Sequence, residues 1–193
     1  METRGTLLMR IRDPNDGQAW SDFVSLYAPL LHAYAVKCGL QDADAADIAQ
    51  ETLRHVLRTA PGFVYDPARG SFRGWLLTIA RNEVRKFTGR AARRTTGTGD
   101  TEARLLLEAV PDREPDPGEW ERDYQLHLFH WAADRVRPEF RENTWQAFWR
   151  TVVGGQNVDT VARDLGLTRG AVYIARSRVT ARVRDEIRAA GED

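Results

Sequence analysis

Apolar residues recur at steps of three and four along most of this chain, a period that admits helices and little else. Ala19, Trp20, Phe23, Val24, Tyr27, Leu30, Leu31, Tyr34, Ala35 and Cys38 keep it from Asp16 to a stop at Gly39. Pro29 lies inside that run and is expected to kink or split the helix, because it has no N–H to give. Ala45, Ile48, Ala49, Thr52, Leu53, Val56, Leu57 and Ala60 form a second stripe, capped by Asp42 or Asp44 and stopped at Pro61 and Gly62. A third runs through Phe72, Trp75, Leu76, Ile79, Ala80, Val84 and Phe87, with Ser71 as its cap and Gly89 as its stop. Further stripes follow at Trp120–Val136, Thr144–Val152 and from Val161 onward. The expected fold is all-α.

Charge adds what period cannot. The chain carries 28 Lys/Arg and 28 Asp/Glu, a net charge of zero, yet the two signs are segregated. Residues 61–94 hold eight Lys/Arg against Asp66 and Glu83, whereas residues 95–125 hold three Arg against nine acids. Such segregation speaks about partners. The basic block sits on one face of the third helix, where Arg73, Arg81, Asn82, Arg85 and Lys86 oppose the apolar stripe. The acidic block begins TTGTGD and ends in a proline-rich tract, which predicts a linker over residues 95–116. A flexible tether of that length spans roughly 25 Å on average and about 75 Å when stretched. Two small helical domains are therefore expected, at 1–94 and 117–193, joined by a flexible acidic linker.

The second domain closes with a short helix over 159–165, a turn at Gly166 and a longer helix capped by Thr168. This is the outline of a helix-turn-helix. Between Thr168 and Arg184 there are five arginines (Arg169, Arg176, Arg178, Arg182, Arg184) and no acid. Arg169, Tyr173, Arg176, Ser177 and Thr180 share the outer face. Arginine can read guanine edges in two hydrogen bonds, and hydroxyls and cations hold phosphate.

Several classes are excluded. No apolar run reaches the ~20 residues that cross a bilayer, and Arg10 and Arg12 interrupt any signal-peptide core. The lone cysteine, Cys38, sits on an apolar stripe as a small buried hydrophobe; it permits no internal disulfide and suits a cytoplasmic protein. His127 and His130 lack a third ligand at metal spacing. No phosphate-cradling glycine loop and no nucleophile with a placed base occurs, so neither catalysis nor a cofactor is expected.

Taken in order, DAADIAQETLRHV (Asp44–Val56), FRGWLLTIARNEVRKF (Phe72–Phe87) and the terminal helix-turn-helix resemble an extracytoplasmic-function (ECF) type RNA polymerase sigma factor over nearly the whole chain. By itself the patch of Asp47, Gln50, Glu51 and Arg54 reads as a solvated helix face. The resemblance instead implies that it docks on the clamp helices of core RNA polymerase. It also implies that the loop 64–72 and the following helix read the −10 element as single-stranded DNA, with Asn82 in the pocket for a flipped base. Phe63, Tyr65 and Phe72 are then the stacking candidates, while Arg73, Arg81, Arg85 and Lys86 hold phosphates. The helix Thr168–Arg184 would read the −35 element through Thr168, Arg169, Tyr173, Arg176, Ser177, Arg178 and Thr180. The aromatic-rich helices before it would rest on the polymerase flap. Core RNA polymerase and promoter DNA are the implied partners, with room for an anti-sigma factor and no membrane insertion. The alternative from the residues alone is a stand-alone helix-turn-helix repressor or activator, which would bind duplex DNA unaided.

Overall fold

The computed structural model describes residues 7–62, 71–95 and 116–190. Those residues form α-helices and no strand: α1 (Leu7–Arg10), α2 (Gly17–Lys37), α3 (Asp42–Thr59), α4 (Phe72–Thr95), α5 (Pro117–Val136), α6 (Glu142–Phe148), α7 (Val158–Leu165) and α8 (Arg169–Ala190). None of them is long and apolar enough to cross a membrane. The chain divides into two compact units, one within 7–127 and one beginning at Leu128, so that the division falls inside α5. Of the expected linker at 95–116, only the two ends belong to the described residues. Thr95 closes α4, and the Asp116 carbonyl accepts from the N–H groups of Glu119 and Trp120 at the start of α5.

In the first unit α2 packs on α3 and α3 on α4. Asp16 caps α2 by accepting from the Ala19 N–H at 2.9 Å. Arg10 donates two hydrogen bonds to the same carboxylate, 2.9 Å each, and holds its pKa below the usual range. Pro29 does not split α2: the helix continues to Lys37, and the ring faces solvent on the side away from Leu30 and Leu31. The stop at Gly39 has a physical cause. Its φ is +87°, and the Leu40 N–H turns back to the Ala35 carbonyl at 3.2 Å, the closure a left-handed glycine permits.

Two expected boundaries move. Neither Asp42 nor Asp44 caps α3; Gln41 precedes the helix without a side-chain cap, and both acids lie in the first turn, where they complement the helix dipole. Ser71 does cap α4, accepting from the Gly74 N–H at 3.1 Å, but Gly89 does not end it. The helix runs on to Thr95, because a glycine stops a helix only by turning left-handed, and Gly89 keeps negative φ.

The second unit has two joined cores. Ala132, Ala133, Val136, Trp145, Phe148, Val179 and Val183 pack α5, α6 and α8 together. Ala147, Val161, Ala162, Val172 and Ala175 seat α7 between α6 and α8. After α6 a single wide turn over Trp149–Val153 carries the chain to Gly154, whose N–H reaches the Trp149 carbonyl at 2.9 Å.

A Cβ built at Gly89 meets nothing within 4 Å. Gly89→Ala is therefore expected to stabilise the protein by about 0.4–1 kcal/mol, chiefly by restricting the unfolded chain, read as a higher urea midpoint at unchanged m-value.

Candidate nucleic-acid interface

In the second unit a short helix, a tight turn and a longer helix follow one another where the sequence suggests. Asn157 caps α7 by accepting from the Asp159 N–H at 2.8 Å. Gly166, at φ +64°, makes the turn, and the Leu167 N–H closes on the Ala162 carbonyl at 2.8 Å. Thr168 then caps α8, its hydroxyl accepting from the Ala171 N–H at 3.1 Å. With Val172, Ala175, Val179 and Val183 buried, the rest of α8 is turned outward. Tyr173, Arg176, Ser177 and Thr180 come together there and, with Ala181, Arg184 and Val152, line an open groove. The Arg176 guanidinium lies 5.8 Å from the Tyr173 ring centroid.

Ion pairing sorts the six arginines of α8 into two sets. Arg169 pairs with Asp159 at 2.9 Å and Arg188 with Asp185 at 3.3 Å. Arg182 donates two hydrogen bonds to Glu139, at 2.7 and 2.8 Å, and reaches Glu186 at 2.9 Å. Burial would raise the Glu186 pKa, but hydrogen bonds from Arg135 and Arg182 outweigh it and hold the carboxyl below its usual range. Arg176, Arg178 and Arg184 have no acid partner among the described residues. Of the residues expected to meet DNA, Thr168 thus serves as a cap and Arg169 answers an acid. Arg178 is exposed outside the groove. Val152, counted in the apolar stripe 144–152, is exposed instead; sequence reasoning passed over Ile174, also exposed, whose apolar character on an outward face was the available signal.

In the first unit Asp47, Gln50, Glu51 and Arg54 stand exposed on one face of α3. Arg54 bonds Glu51 and reaches the Gln50 side-chain oxygen at 3.3 Å. On α4, Asn82, Arg85 and Lys86 are exposed, and Lys86 pairs with Glu83 at 2.7 Å.

Three other residues expected at the −10 strand, Phe72 from the apolar stripe and Arg73 and Arg81 from the basic face, are held elsewhere. Phe72 is not a surface aromatic: it is 4% exposed, its ring 5.9 Å from Phe23 and 5.8 Å from Tyr27. Being the first residue of α4, it falls where that helix meets α2. Arg73 lies 4.6 Å over the Tyr124 ring and 3.2 Å from Glu121, its side chain 17% exposed. Arg81 hydrogen-bonds the Tyr34 hydroxyl. Phe63 and Tyr65, the other stacking candidates, lie outside the described residues. Helical spacing alone put Arg73 and Arg81 on the outer face; Glu121 and Tyr124 in the first half of α5 change the surroundings of Arg73, and Tyr34 of α2 those of Arg81. Trp120 meets Tyr34 edge-on at 5.7 Å, Tyr124 stacks on Tyr27 at 6.1 Å, and Lys37 pairs with Asp123 at 2.5 Å.

Comparison with known proteins gives this arrangement a family. Residues 23–94 match Sigma-70 region 2. The chain is 31% identical over 166 residues to the ECF RNA polymerase sigma factor RpoE of Cereibacter sphaeroides, covering 86% of this chain and 84% of that one. It is 29% identical over 169 residues to the ECF RNA polymerase sigma factor SigE of Mycolicibacterium smegmatis, covering 83% of this chain and 57% of the relative. The chain belongs to the ECF RNA polymerase sigma factor family, and its role is that of a sigma factor in transcription initiation.

Burial pushes the Tyr34 hydroxyl up to about 12; the Cys38 thiol adds to the rise and Arg81 opposes it. The folded chain thus holds this proton more tightly than the unfolded chain, whose tyrosine titrates near ~10. The stability from this group is complete below pH ~10 and is lost as pH rises toward ~12. Urea midpoints measured from pH 8 upward should fall more steeply for the native chain than for Tyr34→Phe.

Proposed function

We propose that this sigma factor works as two DNA-reading domains anchored to core RNA polymerase by one helix. Asp47, Gln50, Glu51 and Arg54 of α3 dock on the polymerase clamp helices. The loop before α4, with Phe63 and Tyr65, captures opened −10 strand by stacking, at about 1–3 kcal/mol per base. Asn82 offers both a donor and an acceptor to the edge of a flipped base, and that pairing offsets the few kcal/mol that extrusion costs. Arg85 and Lys86 hold the adjoining phosphates. The second domain reads the −35 element as intact duplex through α8, while α5 and α6 rest on the polymerase flap. Residues 95–116 tether the two, their acids kept off phosphate by repulsion.

One observation carries this reading. On α8, the arginines left without an acid partner among the described residues are Arg176, Arg178 and Arg184, while Arg182, 35% exposed at its side chain, is secured by Glu139 and Glu186. Unanswered cations beside Ser177 and Thr180 on an open groove suit a polyanion. A further support is that Asp47, Gln50 and Asn82 are all at the surface, as contacts with polymerase and DNA require.

Run-off transcription with core polymerase and a promoter library tests the whole scheme. Promoter-specific transcripts and a stable complex with core are expected. Neither of these, together with nanomolar binding of duplex by the chain alone, would replace the scheme with a stand-alone repressor. Within it, Asn82→Ala should reduce open-complex formation, read by permanganate reactivity of unpaired thymines, and leave core affinity unchanged; equal loss of both would make Asn82 structural. Arg176→Ala should weaken −35 recognition by about 1–3 kcal/mol and relax base preference at one position. Uniform weakening across sequences would mark a phosphate contact.

A further inference from the structure

Ile174 is 61% exposed, and no core among the described residues accounts for it. The buried stripe of α8 is Val172, Ala175, Val179 and Val183, and Ile174 is directed away from it. Its neighbours one turn on are Ser177 and Arg178, both exposed, and Tyr173 beside it is 51% exposed. A large β-branched side chain is thus held in water on the face that carries unanswered cations. Phosphate and sugar cannot satisfy it. In the major groove of duplex DNA the thymine C5-methyl group is the one apolar feature of the base edges.

We propose that Ile174 is a specificity-determining contact of α8, packing against the C5-methyl of a thymine while the neighbouring cations hold the phosphates. This inference rests on the proposed reading of duplex by α8. Charge complementarity selects the occupant: a protein partner would have to bring acids to Arg176 and Arg178 as well as an apolar patch to Ile174, whereas duplex DNA presents phosphates and thymine methyls together along one groove. Burying one methyl against Ile174 is worth about fourfold in affinity.

Holoenzyme reconstituted from core polymerase and the full chain is bound to a promoter recovered from the run-off library. Each thymine of the upstream duplex element is then replaced singly by deoxyuridine, which removes the methyl and leaves every hydrogen-bonding group. One position is expected to lose about fourfold in affinity with the native chain and to lose nothing with Ile174→Ala. Ile174→Val, which keeps most of the apolar surface, should retain part of the penalty. Because Ile174 is exposed, circular dichroism and core affinity should be unchanged in both variants. The inference is overturned if no thymine of the element is sensitive, or if the penalty is equally large in Ile174→Ala. It is likewise overturned if Ile174→Ala weakens core binding instead, which would make the residue a protein contact. Absence of any upstream footprint with the native chain would sink the duplex-reading scheme as well; a footprint without methyl sensitivity sinks this inference alone.

Discussion

Phe72 lodged against Phe23 and Tyr27 is the contact from which the first domain takes its bearings. The three rings meet edge-on or tilted, at distances where aromatic pairs are favourable beyond their buried area. Because Phe72 opens α4, its burial sets the rotation of the whole helix. Leu76, Ile79, Ala80 and Val84 then turn inward, and Asn82, Arg85 and Lys86 turn out. The exposed polar row is a consequence of where one ring sits, and its direction is inherited from the core.

The second domain solves the same problem with a turn and a set of ion pairs. Gly166 in the left-handed region lets α7 and α8 cross within a few residues, a conformation that costs a side-chain-bearing residue more. The acids around α8 then decide which cations remain available. Glu139 and Glu186 secure Arg182, and Asp159 takes Arg169. These partly exposed pairs add modest stability. Their larger effect is selective: they neutralise the flanks of α8 and concentrate the unanswered positive charge near Arg176, Arg178 and Arg184.

Much of this was legible in the residues. The three-four step located the helices, the caps at Ser71 and Thr168 were readable from residue type, and the turns at Gly39 and Gly166 followed from backbone freedom. Gly89 was misread as a stop because composition cannot reveal the φ a glycine adopts. Of the kink or split expected at Pro29, the split does not occur: the helix is held by core residues on both sides of it, Leu26 and Tyr27 before and Leu30 and Leu31 after. Spacing placed Phe72 on the apolar stripe, where it is buried, and only the family resemblance offered it to DNA; Arg73 was put on the outer face because helical spacing orders residues around one axis and is silent about what packs beside it.

The amino-acid sequence alone determined that this chain is helical, that its charges are segregated, and which face of each helix is polar, since these follow from residue identity at a fixed period. Which arginines stay open to a ligand, which aromatics are walled in, and that Tyr124 and Glu121 lie beside Arg73 were decided only by tertiary structure. Those outcomes depend on neighbours from distant parts of the chain, and a side chain's availability is a property of the assembly around it.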